Sequence, residues 1–269
     1  MPPNMVRMKF LRYTLVLVML GFLASCYEVN EEIVINADGS GTYLTKMDMG
    51  QLLEMMQSFA GEEELTKEGL DKAIDTTIRM KDMLDGAKDV TPEQKALMAN
   101  GTMKMQMNIK EKLFKMDLNF PYAGYDNLQR LMAGEGNSGA GLTSVFKEFF
   151  GGNKPAVDTT QIIDEAKEPD MQDIASIYDV TVKNGFISKK TNQAKYKALL
   201  ARPEMEQVKK MSTSGMEIPY TTTIKLPRPV KKSDNDLLKL SDDRKTVTIK
   251  YNLLDLLESP DKFAYTLEY

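Results

Sequence analysis

The chain has 269 residues, a formal charge of −4, a single cysteine and neither histidine nor tryptophan. Those absences exclude Ser-His-Asp and Cys-His catalysis, almost all zinc and copper enzyme sites and any intrachain disulfide, and they weaken the case for a sugar-stacking platform. The mildly acidic balance is a poor match for nucleic acid or an anionic lipid surface, and no cofactor or metal is expected.

The first residues carry the strongest signal. Arg7, Lys9 and Arg12 form a basic leader without an acid, followed by the apolar run "YTLVLVMLGFLAS" from Tyr13 to Ser25. The run falls short of the roughly 20 residues of a membrane span but suits a secretory signal. It ends in Leu23-Ala24-Ser25-Cys26, which resembles the lipobox of bacterial lipoproteins. That resemblance implies a signal peptide over 1–25, cleavage before Cys26, and acylation of Cys26 with diacylglycerol and an amide-linked fatty acid such as palmitate. Residues 26–269 then form one domain in water beside a membrane, because several acyl chains anchor a protein stably. The implied location is the cell envelope, on the periplasmic or surface face of the outer membrane.

From Glu28 to Ile35 the residues alternate, with Val29, Glu31, Ile33 and Ile35 on one face. A second alternating run covers 42–49, and "NADGSG" between them reads as a hairpin turn. Asn36, Asp38, Ser40 and Thr42 also imitate a calcium loop. The twelfth position would need a bidentate carboxylate, however, and holds Met47.

Helices are expected next, over 48–61, over 65–86 and over 91–101. The second is read from Thr66 as N-cap and a stripe of Leu70, Ala73, Ile74, Thr77, Ile78 and Leu84; the third has a Thr91 cap and Pro92 in its first turn. "TMKMQMNIKEKLFKMDLNF" (102–120) is the clearest sheet signal. Met103, Met105, Met107 and Ile109 share one face, and after the turn Phe114, Met116, Leu118 and Phe120 share another. A helix over 126–132 leads into a mobile glycine-rich loop near 133–142. A short helix over 143–150 and an ambiguous polar stretch to 173 follow. A hairpin over 176–188 turns at Asn184-Gly185, with helical pieces over 192–200 and 203–211. The last third holds strands in "MEIPYTTTIKL", "KTVTIKY" and "FAYTLEY", with a helix in "NLLDLLES". The order reads as α+β: a curved antiparallel sheet built from hairpins, with helical insertions packed on one face.

Three motifs invite chemistry. The methionines of 103–107 suggest soft copper(I) ligands, but their continuation into Ile109 is a core pattern. "GEGNSG" (134–139) spells a dinucleotide fingerprint without the strand that must precede it. Ser144 and Lys147, then Ser233-Asp234-Asn235 and Lys245-Thr246, imitate the three motifs of penicillin-binding proteins, but Val247 stands where that family needs glycine.

"NEEIVINADGSGTYLTKMDM" and "TIKLPRPVKKSDN…LSDDRKTVTIKYNLLDLLESPDKFAYTLEY" resemble little-characterised Bacteroidota lipoproteins and are similar, more loosely, to the LppM-type lipoprotein domain. The resemblance implies an α+β fold and envelope association, with lipid or apolar ligands. The expected function is non-enzymatic binding of an apolar ligand, a lipid or an envelope protein in a groove between sheet and helices, lined by Met103, Met105, Met107, Phe114 and Met116. The rivals are a Ser144/Lys147 hydrolase and a structural accessory subunit of an envelope complex.

Overall fold

A computed structural model describes residues 28–50, 53, 73–85, 90–135, 171–203, 205 and 217–269. The expected signal segment, Cys26, most of the helix over 48–61, the glycine-rich loop beyond Glu135, Ser144, Lys147 and most of 203–211 lie outside the described residues.

The chain opens on the hairpin β1 (Glu28–Ile35) and β2 (Gly41–Asp48), paired antiparallel from Glu28↔Asp48 to Ile35↔Gly41. The turn needs both of its glycines. Gly39 has a φ of +86°, and a Cβ on Gly41 would fall 1.8 Å from the Val34 carbonyl oxygen.

The helix expected over 65–86 is corrected in its described part. Ile74–Arg79 is a strand, β3, and only Met80–Leu84 is helical, α1. The segment "IDTTIR" is rich in β-branched residues, which suit a pleated strand. Ile74, Thr76 and Ile78 are its more buried positions, a period of two that also supplied two points of the helical stripe. Leu70 and Thr66 are not among the described residues.

Helix α2 (Pro92–Met98) carries the expected Thr91 cap, completed as a capping box: the Thr91 hydroxyl accepts from Gln94 N, and the Gln94 side chain accepts from Thr91 N. Strands β4 (Thr102–Asn108) and β5 (Leu113–Tyr122) form the long hairpin with its dry and wet faces. Helix α3 (Tyr125–Met132) follows, and α4 (Met171–Ser176) precedes the hairpin of β6 (Tyr178–Lys183) and β7 (Phe186–Thr191). Helix α5 (Gln193–Leu200) is capped by Asn192. The last third contains β8 (Pro219–Lys225), β9 (Lys232–Ser233), β10 (Lys239–Leu240), β11 (Thr246–Asn252), α6 (Leu253–Glu258) and β12 (Tyr265–Glu268).

The class is α+β, but the strands divide into two sheets. The larger is open, in the order β10-β11-β8-β1-β2-β5-β4-β3; the smaller runs β6-β7-β12-β9. Among the described strands all pairings are antiparallel except β1 with β8, which brings the first described strand beside the last third of the chain. Two alternating patterns cannot report that neighbour, because a parallel partner needs no turn signal. Helix α3 joins the sheets at an edge: Gln129 Oε1 accepts from the backbone N–H of Val182 on β6 at 3.1 Å. Inward residues of both sheets belong to one hydrophobic core.

Candidate functional site between the two sheets

Met103, Met105, Met107, Phe114 and Met116 sit where the alternation places them, all on the dry side of the β4–β5 hairpin. None is more than 5% exposed. Met105 and Met116 are register partners, as are Met107 and Phe114. On the other side, Ile78 pairs with Met103 and Ile74 with Met107 across β3–β4. Ile74 and Ile78, read from the sequence as helical, therefore lie beside the methionines within the sheet. The arrangement is that of a closed core.

The "NADGSG" turn spends its oxygens on itself. Asp38 Oδ1 accepts from Ser40 N at 3.0 Å and from Ser40 Oγ at 2.7 Å, and Asn36 Nδ2 donates to Ser40 Oγ at 3.1 Å. The Ser40 hydrogen bonds hold the Asp38 carboxyl below its usual range. No group of three acidic, histidine or cysteine residues placed to hold a metal occurs among the described residues. Ser233-Asp234-Asn235 is likewise a structural lock. Asn235 Nδ2 donates to the carbonyls of Lys262 and Ala264, Asp234 accepts from Thr266 N, and Ser233 Oγ bonds within the turn.

Two shallow depressions mark the surface. One, of about 290 Å³, lies over Asn30, Glu31, Glu32, Leu44, Lys46 and Thr223; the other, of about 190 Å³, lies over Tyr178 and Val180. The charges around the second are mutually paired, Arg130 with Glu135 at 2.6 Å and Lys195 with Asp179 at 2.9 Å.

The most unusual chemistry is inside. Glu31 occupies the inward phase of β1, between Val29 and Ile33, both fully buried. Its carboxylate accepts from the Tyr43 hydroxyl and, at 2.8 Å, from Thr222 Oγ1 on the adjacent parallel strand. Tyr220 and Tyr251 stack beside it with centroids 5.0 Å apart, and Tyr251 meets Phe263 at the same separation. Burial first, and the Glu31 charge second, push the Tyr43, Tyr220, Tyr251 and Tyr265 phenols far up. Tyr265 belongs to the smaller sheet, so the Glu31 carboxylate acts across the gap between the sheets.

The smaller sheet contributes a charge of its own, Lys189 on β7. It is in phase with fully buried Ile187 and pairs in register with Val180 and Tyr265. Its Nζ lies 4.3 Å from the Tyr178 ring centroid. Burial lowers its pKa, and the Glu31 charge partly restores it. The Tyr178 hydroxyl is engaged elsewhere, donating to the Pro260 carbonyl at 3.1 Å.

No family model matches the chain, and no curated protein matches it. Among solved structures, the chain is similar to the folded domain of Mycobacterium tuberculosis LppM, determined by NMR. Identity is 9%, coverage 92% of each chain, and the TM-score 0.34. The Bacteroidota resemblance is not supported by these comparisons. At this distance nothing about the site is carried across. No helix among the described residues is long and apolar enough to cross a membrane, which leaves strand-built crossings unaddressed.

Glu31 and Lys189 were absent from the sequence-derived site. Glu31 left a signal, a charge in step with Val29, Ile33 and Ile35 where an apolar residue is the rule; Lys189, in a strand without clean alternation, left none.

Proposed function

We propose that the chain is a lipid-anchored cell-envelope protein that works by binding, not by catalysis. The observation that carries the reading is "LASC" at 23–26 after a basic leader and an apolar run. Acylated Cys26 holds the α+β domain at the membrane, and the domain takes up an apolar ligand, a lipid or an envelope protein. The five residues of the expected groove are packed in the core, so an apolar chain reaches them only by displacing what covers them. The hydrogen bonds of Ser233, Asp234 and Asn235 support binding over a Ser/Lys hydrolase, because all three are committed to fixing a turn.

The test is Cys26→Ser expressed in a bacterial host that lipidates. The expected result is loss of the acyl mass and of partition into detergent, with an uncleaved precursor or a soluble product. A variant that still partitions with the wild-type acyl mass overturns the anchor. Labelling of Ser144 by a fluorescent β-lactam overturns the non-catalytic half.

A further inference from the structure

The proposed anchor and the start of the larger sheet are separated by one residue. Only Tyr27 stands between Cys26 and Glu28, the first residue of β1. Two peptide steps span at most about 7 Å. Peeling β1 away to lengthen that tether would break ladders on both sides, with β2 from Glu28↔Asp48 and with β8 from Val29↔Tyr220. A chain acylated at Cys26 therefore holds the Glu28 end of this sheet close against the headgroups.

The same end of the sheet presents the turn between β4 and β5. Asp48, the register partner of Glu28, also pairs with Lys115 on β5. Just past Asp48, Met49 N donates to the Phe114 carbonyl at 2.7 Å, and a Cβ on Gly50 would fall 2.5 Å from the Lys112 carbonyl oxygen. Gly50 is as far along the chain from Asp48 as Cys26 is from Glu28, so turn and anchor stand within the same short reach of one register pair. The turn is firmly built. Asn108 Oδ1 accepts from Lys110 N at 3.1 Å and from Glu111 N at 3.3 Å, and Lys112 N donates to the Ile109 carbonyl at 3.1 Å. Lys110, Glu111 and Lys112 are exposed at its tip. Lys112 has a φ of +53°, a region that glycine and asparagine enter more readily, so turn formation alone does not call for lysine there. The nearby acid Asp48 is already paired, with Lys115 at 3.3 Å.

We infer that the β4–β5 turn is a second membrane contact, with Lys110 and Lys112 meeting headgroup phosphates of the bilayer that holds the acyl chains. The occupant follows from the length of the tether. A gap of about 7 Å is narrower than a single helix, about 10 Å across, and so excludes a folded partner. Lysines that close to a phospholipid surface are attracted to it. The anchor enters at β1, in the interior of the sheet, and the turn stands to one side of it beyond β2. Two such points fix which way the domain faces. The opposite end is then held out in water: Lys225 pairs with both Val34 and Thr246, about 20 Å along β1 from Glu28. The inference deepens the lipid-anchored reading and rests on it.

The experiment uses acylated protein in vesicles of phosphatidylethanolamine and phosphatidylglycerol, a share of which carry a nitroxide on the headgroup. Cys26 is the chain's sole cysteine, so once it is acylated an introduced thiol alone takes a fluorescent label. Glu111→Cys places the label on the turn; Asp242→Cys places it in the turn before β11, at the far end. Quenching by the nitroxide is expected at 111 and not at 242. Lys110→Gln with Lys112→Asn removes both charges and puts at 112 a residue that accepts positive φ. With the label at 111, that pair should lower the ratio of docked to free turn about fivefold or more, the scale of one lysine at an anionic surface. Far-UV circular dichroism reports the fold of each variant; if the double variant misfolds, the contrast between 111 and 242 decides. No quenching at 111, equal quenching at both positions, or quenching at 111 unchanged in the folded double variant overturns the contact and leaves the anchor standing. Labelling of protein without an introduced cysteine shows a free Cys26 thiol and overturns both.

Discussion

Gly39 shows how much one position can hold. Its φ of +86° is open to glycine at no steric cost, and a Cβ there would stand 2.7 Å from Cε2 of Tyr125 at the start of α3. Gly39→Val therefore faces strained backbone and a ring that must move, and should cost at least about 1 kcal/mol in denaturant unfolding. Asp38→Asn keeps an acceptor oxygen for Ser40 and should leave the melting temperature near wild type, with or without calcium. A calcium-dependent melting shift that disappears in Asp38→Asn would refute the turn assignment. This turn was legible because Asp-Gly between two alternating runs has one common meaning. Glu31 was legible only as an oddity, a carboxylate in step with Val29, Ile33 and Ile35. Apart from Tyr43 in the same hairpin, its partners, Thr222 and the tyrosines of β8, β11 and β12, stand some two hundred residues away in sequence, and no local pattern connects them.

Among the elements, those with local causes were readable and the one with a tertiary cause was not. The capping box at Thr91, the Asn192 and Asn252 caps and the alternation of 102–120 all act within a few residues. The strand β3 depends on β4 lying beside it, with Ile74 opposite Met107 and Ile78 opposite Met103. Positions 74 and 78 are in phase for a helix and a strand alike, so the apolar pattern could not decide between them. The same strand makes the β4 methionines central to the packing. Met105 is 1% exposed between Thr76 on one side and Met116 on the other. Met105→Ala should lower stability by about 2–5 kcal/mol, the range for a large-to-small change in a closed core. Chemical denaturation gives the value. A much smaller loss, accompanied by weaker binding of an apolar dye, would mean that this face lines a pocket. A melting shift with silver in wild type and not in the mutant would instead establish a thioether metal site.

At the scale of the molecule, the two sheets enclose a core unusually rich in phenols. Burial is the first cause raising the pKa of eight tyrosines: Tyr43, Tyr122, Tyr178, Tyr196, Tyr220, Tyr251, Tyr265 and Tyr269, the last pushed up to about 12. Their consequence for stability has a definite sign. In the unfolded chain a tyrosine loses its proton near pH 10, while in the folded protein the seven buried further than Tyr196 keep theirs to higher pH. Above about pH 10 the folded state binds more protons, so stability falls as pH rises, by up to about 1.4 kcal/mol per pH unit for each phenol involved. Lys189 acts the other way. Its lowered pKa means that the unfolded chain binds the extra proton, so stability rises with pH up to the ordinary lysine value of 10.5. One lysine against seven buried phenols leaves the net slope downward. The fold should therefore resist alkali to about pH 10 and then unfold over a narrow range. Absorbance of phenolate near 295 nm, followed beside far-UV circular dichroism, should show a small early fraction ionising and the remainder appearing together with loss of structure. Lys189→Met should be more stable than wild type at neutral pH, and its advantage should shrink as pH approaches 10.5. Reversible ionisation of nearly all the tyrosines near pH 10, with the dichroism unchanged, would mean that the phenols are open to solvent and that the two sheets do not enclose them.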